Sequence, residues 1–255
     1  MSEAVEGGRI FGVHAVSAAL QDTASGIQEL WLAGSTNKRL VALRRQALAG
    51  HITIIDTTHG ALDEFSGGLR HQGVMAVLRA ERQWQEQDLE QLLAQSREPP
   101  LLLALDGVQD PHNLGACLRT ADAAGVQAVI APRDRAVGLT PVVRKVASGA
   151  VEHVPFIQVT NLVRSLGKLK ALGLWVTGTD STAATSLFDC QLDGGQVLVM
   201  GAEAKGLRRL TRECCDRLVS IPMIGGMASL NVSVATGICL YEIRRQTGFA
   251  EKQRR

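Results

Sequence analysis

The sequence predicts an α/β protein of two domains, and three observations support this. Residues 9–78 alternate helical patterns with short strands, which is typical of a compact α/β domain. Residues 79–100 are polar, rich in glutamine and end in two prolines, which indicates a linker followed by a short helix. From residue 101 onward, short apolar runs recur with helical patterns between them, as in a parallel sheet with helices on both faces. We therefore predict domains at 1–78 and 101–255, joined by a linker at 79–100.

The composition is that of a soluble globular protein. Of its 255 residues, 45% are hydrophobic and 20% are charged, and no apolar run has membrane-spanning length. The start of the sequence lacks the features of a signal peptide, so we expect a cytoplasmic protein with no membrane partner. The cysteines are odd in number and form no CxxC pair, which argues against a disulfide framework and a zinc site; we predict no metal. The net charge of +2 permits an RNA partner without requiring one.

The N-terminal segment combines regular elements with two polar turns. The predicted elements are helices at 14–20 and 38–49 and strands at 29–32, 52–55 and 74–78. The polar turns lie at 35–39 and 70–73. Ordinary solvated loops would explain both turns, so the residues alone assign no function to them.

Six apolar runs form the predicted parallel sheet of the C-terminal domain. They cover residues 101–105, 127–131, 154–157, 174–177, 197–200 and 218–221. Four of the runs are followed by glycines and polar residues, which are Asp106-Gly107, Gly178-Thr179-Asp180, Gly201-Ala202-Glu203 and a loop with Gly225 and Gly226. Ligands of open α/β sheets bind beyond the carboxyl ends of the strands. We therefore predict one ligand site at this edge of the sheet.

The first of three segments with candidate chemistry covers residues 106–125. We predict a loop that ends at Asn113 and a helix whose apolar face leaves Arg119 outside it, near Asp122. An ordinary surface ion pair between these two charges would explain them without any function.

The other two segments follow the last two predicted strands. Residues 197–212 fit neither a dinucleotide fingerprint nor a phosphate-binding loop. Residues 220–241 run from a strand through Pro222 and a glycine loop into a helix that Ser229 or Asn231 can cap. A strand, a glycine loop and a polar helix start are together typical of a small-molecule pocket.

The three segments, in this order, resemble the SpoU/TrmH branch of the SPOUT RNA methyltransferases. The first family motif has an Asn and an Arg six residues apart, here Asn113 and Arg119. The second has Gly-x-Glu after a strand, here Gly201 and Glu203, and the third reads Ser-Leu-Asn-x-Ser-x-Ala, here 229–235. Further similarity lies at 145–152 and, in the part that looks like the family's L30e-like RNA-binding domain, at 11–16 and 71–73.

The resemblance implies a SPOUT domain with a C-terminal trefoil knot, a threading that general rules of topology would reject. In this family S-adenosylmethionine binds in the knot, with its adenine held largely by backbone groups. The matching cofactor positions are Gly201, Ile221 and Leu230, with Thr177 and Gly178 as further candidates. One departure is Ala204-Lys205-Gly206, where the family has an acidic residue and glycines; we expect altered RNA contacts rather than lost activity.

Methyl transfer to a ribose 2'-hydroxyl is the implied reaction. The family assigns the central role to the motif-one arginine, here Arg119, sometimes as a general base. A guanidinium with a pKa above about 12 is a poor base at neutral pH. We expect Arg119 to hold a phosphate and stabilise the developing alkoxide, and a base role stays open if local charges shift its pKa. The residues that would position Arg119 and the ribose are Asn113, Glu203, Ser229 and Asn231.

The implied partners are 23S rRNA and a second copy of the chain. The target expected by resemblance is a guanosine in the P loop of the peptidyl-transferase centre. The candidate RNA contacts are Arg9, Lys38, Arg39, His71, Arg144 and Lys145, with Asn37, Arg133, Arg135 and Arg208 as further ones. A solvated surface charge would explain any one of them. The apolar face of the last helix that suits a dimer consists of Val232, Ala235, Ile238 and Cys239, which core packing would explain equally well.

Three alternatives remain open on the sequence alone. Relatives that methylate tRNA share every catalytic motif. An RNA-binding module could keep this fold without chemistry, although its motif residues are intact here. A small-molecule enzyme using a nucleotide is disfavoured because the dinucleotide fingerprint is absent.

Overall fold

The computed structural model describes residues 5–6, 8–21, 26–34, 37–78, 84–96, 98–203 and 205–248. The chain divides into two compact units, Met1–Arg82 and Gln83–Arg255. Residues 79–83 of the predicted linker, Ser35 and Thr36 of the first polar turn, and Ala204 lie outside the described residues. None of the described helices is long and apolar enough to cross a membrane.

The first unit is a five-stranded sheet with helices. Its strands are β1 (Val5–Glu6), β2 (Arg9–Phe11), β3 (Ile27–Ala33), β4 (Thr53–Thr57) and β5 (Val74–Leu78), and its helices are α1 (Val13–Gln21), α2 (Lys38–Ala49) and α3 (His59–Ser66). The strand order is β1-β2-β5-β3-β4, and only the β3–β4 pair is parallel among the described strands. The predicted helix at 38–49 and strand at 74–78 are confirmed at both ends.

The second unit contains a seven-stranded sheet in which every described pairing is parallel. Its strands are β6 (Leu101–Asp106), β7 (Ala128–Pro132), β8 (Phe156–Val159), β9 (Trp175–Thr179), β10 (Thr185–Ser186), β11 (Gln196–Gly201) and β12 (Arg217–Ser220). Its helices are α4 (Asp88–Ala94), α5 (Pro111–Ala123), α6 (Pro141–Ala147), α7 (Ala150–His153), α8 (Leu162–Ala171), α9 (Arg209–Cys214) and α10 (Val232–Thr247). The strand order is β10-β12-β9-β11-β6-β7-β8.

Helices cover both faces of this sheet, as the buried side chains show. Alternate residues of β6 enter two separate apolar cores: Leu101, Leu103 and Leu105 pack with α5, α6, α7 and α10, whereas Leu102 and Ala104 pack with α4 and α8. All six residues of β6 are buried, as expected for a central strand of a parallel sheet. The predicted α/β fold class is confirmed, and the trefoil knot stays a prediction.

The two central strands carry the site at their carboxyl ends. β6 lies beside β11, and in this register Asp106 pairs with Gly201. Two polar segments that are distant in the sequence therefore start next to each other. The far ends of α5 and α10 are also joined, because the buried Arg244 donates to the carbonyl oxygens of Ala124 and Gly125, both at 2.7 Å.

Candidate active site

Helix α5 begins earlier than the sequence suggested, and this places Asn113 in its first turn. Asp110 is the N-cap residue and its side chain accepts from the backbone N–H of His112 at 2.8 Å, while Pro111 occupies the first helical position. The prediction of a loop that ends at Asn113 was therefore wrong. A proline just inside a helix start is a common signal, because its missing N–H needs no partner there.

Three polar residues from the three segments meet in one hydrogen-bond network. Asn113 Nδ2 donates to Glu203 Oε1 at 3.0 Å, and Asn231 Nδ2 contacts both Glu203 Oε1 at 2.6 Å and Asn113 Oδ1 at 2.9 Å. Asn231 is also the N-cap of α10, and its Oδ1 accepts from the backbone N–H and hydroxyl of Ser233 at 2.9 and 2.6 Å. The network orients one carboxylate with two amides and fixes the start of α10.

A tight turn after β11 presents Glu203 to this network. Gly206 N–H donates to Ala202 O at 2.8 Å and Ala202 N–H donates back to Gly206 O at 3.2 Å. The backbone folds onto Gly201 so closely that a Cβ there would lie 2.2 Å from the carbonyl carbon of Gly206 and 2.4 Å from Leu207 N. Only glycine fits at position 201, so the glycine of the second motif shapes the turn that carries the glutamate.

A buried carboxylate at the end of β6 holds the far side of the same turn. Asp106 Oδ2 accepts from the backbone N–H of Arg208 at 2.8 Å, and Arg208 Nε lies 3.5 Å from Asp106 Oδ1. The Asp106 side chain has no exposed surface. The guanidinium lies over Gly107, because Arg208 Nη2 is 3.4 Å from the place that a Cβ at Gly107 would occupy.

A cleft of about 490 Å³ opens beside the network. Its lining combines the end of β6, the start of α5, and the Glu203 turn. The lining residues are Asp106, Gly107, Val108, Gln109, Asp110, Asn113, Arg135, Ala202, Glu203, Lys205, Gly206, Arg208 and Val232. This volume and the mixture of charges, amides and backbone suit a polar ligand of nucleotide size.

The two remaining catalytic candidates do not join the network. Arg119 is exposed on α5, about 9 Å along the helix and about 120° around it from Asn113. Its expected neighbour Asp122 pairs instead with His153, at 3.3 Å. Ser229 lies exposed in the loop before α10. Within the described part of the chain, neither Arg119 nor Ser229 forms a side-chain hydrogen bond, so both side chains are open to a ligand or a partner.

The loop at 222–230 fits the cofactor that the sequence implied. It follows β12 at the carboxyl edge of the sheet and is flanked by Ile221 and Leu230, which are both partly exposed. Among the described residues, the backbone of 222–230 makes no hydrogen bond within the protein, so its N–H and C=O groups are available. Apolar side chains beside free backbone groups match an adenine that is held largely by the main chain.

Thr177 and Gly178 are more deeply placed than the other cofactor candidates. Thr177 is fully buried and its hydroxyl donates to Gln196 Oε1 at 3.1 Å. A Cβ at Gly178 would lie 2.7 Å from Cys215 Sγ. Both residues are closely packed within β9, and a direct cofactor contact by either stays a prediction.

The cysteines near the site have a packing role. Burial raises the pKa of the Cys117 thiol to about 11 and that of Cys239 to about 12. Cys117 Sγ lies 3.6 Å from the hydroxyl of Thr236, between α5 and α10. Because the thiolate is the reactive form, these thiols are inert at neutral pH.

In the first unit, the candidate RNA contacts lie in two places. Lys38 and Arg39 are exposed in the first turn of α2, where the side chain of Asn37 caps the helix by accepting from Arg39 N–H at 2.9 Å. Arg9 lies at the opposite end of β5 from the 71–73 turn, and its guanidinium stacks on the ring of Phe65 at 5.0 Å. The unit therefore separates Arg9 from the other candidates.

His71 is buried and shapes a turn next to α2. Its Nδ1 accepts from the backbone N–H of Gly73 at 3.1 Å, and its Nε2 lies 2.9 Å from Asp63 Oδ1. A Cβ at Gly73 would lie 3.2 Å from Leu40 Cδ1, which places the turn beside the first turn of α2. Both ring nitrogens are engaged, and the neighbouring Gln72, although exposed, also has a structural contact, since its Oε1 accepts from the backbone N–H of Val13 at 3.1 Å.

In the second unit, Lys145 is exposed and Arg144 is partly exposed on α6. The apolar face chosen for a dimer belongs to the core instead: Val232 and Cys239 are buried, and Ala235 and Ile238 pack against them. Of the two explanations that the sequence left open for this face, the structure therefore supports core packing.

The sequence predicts no specific role for one carboxylate of the site. Asp106 follows the first apolar run, and its pairing with Gly201 places it under the Glu203 turn. The available signal was its position at the carboxyl end of the first buried run. Its contact with Arg208 spans 102 residues and no local pattern predicts it.

Two family models match the chain. The model of the SpoU rRNA methylase family matches residues 100–241, and that of the RNA 2'-O ribose methyltransferase substrate-binding domain matches residues 9–84. Together they account for both structural units.

Similar proteins were found among curated sequences and solved structures. A 23S rRNA (guanosine-2'-O-)-methyltransferase RlmB of Shewanella oneidensis is 55% identical over 238 residues, which cover 93% of this chain and 96% of the relative. The RlmB of Escherichia coli K12 is 51% identical, with 93% and 98% coverage. The SpoU methyltransferase AviRb from Streptomyces viridochromogenes, crystallised with AdoMet, has a TM-score of 0.63 at 25% identity and covers 94% of this chain and 90% of its own.

Proposed function

Since the chain belongs to the SpoU rRNA methylase family, we propose that it transfers a methyl group from S-adenosylmethionine to the 2'-hydroxyl of a guanosine in 23S rRNA. The observation that carries this proposal is the network of Asn113, Glu203 and Asn231, which joins all three motifs at the carboxyl edge of the sheet. The near full-length similarity to RlmB proteins supports the choice of substrate.

The cofactor supplies an electrophilic methyl group on its sulfonium, and the protein must hold it next to the ribose. Ile221, Leu230 and the free backbone of 222–230 would hold the adenine, and the turn at Gly201 would border it. This arrangement leaves the neighbouring cleft for the acceptor nucleotide.

Glu203 orients the attacking hydroxyl in this proposal. Its Oε1 is occupied by two amide donors, whereas its Oε2 accepts no hydrogen bond from the described residues and Glu203 lines the cleft. The 2'-hydroxyl would donate to Oε2, which turns an oxygen lone pair toward the methyl group. As the new oxygen–carbon bond replaces the sulfur–carbon bond, Oε2 would take the hydroxyl proton. Positioning of this kind lowers the barrier, because the reacting atoms already lie in an attack geometry.

Arg119 stabilises the negative charge that develops on the ribose oxygen. A guanidinium is a strong donor to an oxyanion and a poor base at neutral pH. In one chain Arg119 lies away from the network, about 120° around α5 from Asn113. We propose that the protein is a homodimer in which α5 of one subunit brings Arg119 to the cleft of the other.

An exposed apolar stripe supports this homodimer. Val234 and Tyr241 on α10 are 51% and 45% exposed, and their spacing of seven residues places them on one side of the helix. α10 packs beside α5, where a Cβ at Gly237 would lie 3.6 Å from Thr120 Cγ2. Association through this stripe would place two α5 helices near each other. Sedimentation should give a dimer at micromolar concentration; a monomer with full activity would contradict the shared site.

Methyl transfer from labelled S-adenosylmethionine tests the proposed function. We expect 2'-O-methylguanosine in unmodified 23S rRNA and no product in tRNA; product only in tRNA would move the protein to its tRNA-modifying relatives. The expected position is the guanosine of the P loop, which mapping of the product would identify. A substrate in the ribosome also implies a cytoplasmic protein.

Arg119→Ala should reduce the rate of methyl transfer by at least about 100-fold, because the alkoxide loses its charged donor. The affinity for S-adenosylmethionine, measured by calorimetry, should be nearly unchanged. Arg209→Ala is the matched control, since Arg209 is exposed and lies outside the lining of the cleft. Full activity of Arg119→Ala would refute the role of this residue.

A further inference from the structure

Asp106 is a buried charge with an incomplete set of partners. Its Oδ2 accepts from the backbone N–H of Arg208, but its Oδ1 accepts no hydrogen bond within the described structure. The nearest cation, Arg208 Nε, lies 3.5 Å from Oδ1, an ion-pair distance without hydrogen-bond geometry. Burial of a charge with too few partners costs stability, so its presence indicates a structural or functional role. We look for this role in the segment that Asp106 contacts.

That segment is the turn that carries Glu203. The turn leaves the sheet at Gly201, which pairs with Asp106, and it ends at Arg208, which Asp106 binds. Asp106 therefore spans the base of the turn. Glu203 depends on this base for its hydrogen bonds to Asn113 and Asn231 at 2.6 to 3.0 Å.

Around the cleft, the acidic side chains have hydrogen-bond donors, whereas two of the basic side chains have no partner among the described residues. The Asp110 carboxylate caps α5, Glu203 binds two amides and Asp106 faces Arg208, so every acid of the lining has a donor. Two cations of the lining, Arg135 and Lys205, are exposed and have no hydrogen-bond partner among the described residues. Cations without a partner, beside acids that each already have a donor, favour an anionic ligand.

Arg208 is the cation of this group whose direction is fixed. Its backbone N–H donates to Asp106, its Nε lies at ion-pair distance from the same carboxylate, and its guanidinium lies over Gly107, at the wall of the cleft. Its side chain is still 42% exposed. The terminal nitrogens of such an arginine form a pre-oriented fork, which suits the oxygens of a phosphate.

We propose that Arg208 binds a backbone phosphate next to the target nucleotide and that Asp106 is a positioning residue, which aims Arg208 into the cleft and anchors the Glu203 turn. This inference rests on the proposed function for the identity of the RNA. The ligand chemistry is an oxyanion, for which the carboxylate of S-adenosylmethionine is the other source. We choose the RNA because Arg208 lines the same cleft as the network that faces the ribose.

The test uses the full-length protein with a 23S rRNA fragment. The variants are Arg208→Ala, Asp106→Asn and the double variant, with Arg209→Ala as control, since Arg209 is the next residue and binds Glu213 away from the cleft. The dissociation constant for the RNA is measured by filter binding at several salt concentrations. Calorimetry gives the affinity for S-adenosylmethionine, and thermal denaturation reports folding.

Arg208→Ala should weaken RNA binding about tenfold and reduce the slope of log K against log salt by about 0.7 to 0.9, the loss of one phosphate contact. Binding of S-adenosylmethionine should not change. Asp106→Asn retains an acceptor for Arg208 N–H but loses the charge, and should weaken RNA binding several-fold. Added to Arg208→Ala, it should cause no further loss, because Asp106 acts on the phosphate through Arg208.

Three results would overturn the inference. They are additive losses in the double variant, an equal loss in Arg209→Ala, or weaker binding of S-adenosylmethionine with unchanged RNA binding. If Asp106→Asn does not fold, Arg208→Lys keeps the charge without the fork and should bind RNA with intermediate affinity; wild-type affinity would contradict the proposal. Filter binding requires no methyl transfer, so failure of the proposed function would be detected separately, in the wild-type methylation assay.

Discussion

Replacing Gly201 with alanine should uncouple the Glu203 turn from the asparagines while the sheet remains folded. A Cβ at this position would lie 2.2, 2.4 and 2.5 Å from backbone atoms of Gly206 and Leu207. Real Cβ contacts are not shorter than 3.0 Å, so the facing backbone must move by at least 0.8 Å from the closest of these distances. Because all three atoms belong to the backbone, no side-chain rotation can relieve the overlap.

A shift of this size exceeds the tolerance of the network. Asn113 Nδ2 and Glu203 Oε1 are 3.0 Å apart, and a further 0.8 Å would exceed the limit of a hydrogen bond. Misplacement by about 1 Å typically costs about 100-fold in rate. Overpacking costs about 1–3 kcal/mol of stability, which a domain with this core can tolerate. We therefore expect a folded protein whose single-turnover methyl transfer is about 100-fold slower.

Gly167→Ala is the matched control for this experiment. Gly167 lies within α8, and a Cβ added there would have no atom within 4 Å, so alanine should be tolerated and should favour the helix. Calorimetry with S-adenosylmethionine separates a damaged cofactor site from a displaced Glu203. Methyl transfer by Gly201→Ala within about twofold of the wild-type rate would refute the link between this glycine and the network.

Two further predictions concern stability. Gly115→Ala should lower the melting temperature, because its Cβ would lie 2.6 Å from Val146 Cβ where α5 meets α6. Overpacking of this kind costs about 1–3 kcal/mol of unfolding free energy. An unchanged melting temperature would contradict this packing. Hydrogen bonds from the hydroxyl and backbone of Thr182 hold the pKa of Asp180 below its ordinary value. This carboxylate therefore stabilises the fold fully above about pH 4, and the contribution is lost as the pH falls through the lowered pKa. Between about pH 5 and 3, the urea concentration at the unfolding midpoint should fall less for Asp180→Asn than for the wild type. An equal fall in both proteins would contradict the stabilising role of Asp180.

The sheet was predictable because burial leaves a simple pattern. Strands buried on both faces are continuous apolar runs, and all six runs of the C-terminal domain overlap observed strands, with ends that differ by at most two residues. The short strand β10 was missed because two residues form no pattern. At α5 the Asp110-Pro111 pair marks the observed helix start, ahead of the loop end predicted at Asn113.

The residues of the site could be predicted from the sequence, but the contacts between them could not. The motifs identified Asn113, Glu203 and Asn231, yet their hydrogen bonds join positions up to 118 residues apart, which spacing along the chain cannot reveal. The same limit hid the role of Asp106. On α10, the apolar residues Val232 and Val234 differ by two positions and face the core and the solvent respectively. Composition alone cannot tell which of the two faces the protein buries.

The long-range bond between Asn231 and Asn113 has a consequence for the order in which the protein matures. The two strands that lead into the cleft, β6 and β11, are complete by Gly201, but the last partner of Glu203 is Asn231, the N-cap of α10. Contacts between distant parts of a chain form late, since the loop between them must close first. During synthesis, a nascent chain can therefore build its sheet before it can methylate anything. Competence begins only when the ribosome has added the helix that Asn231 caps.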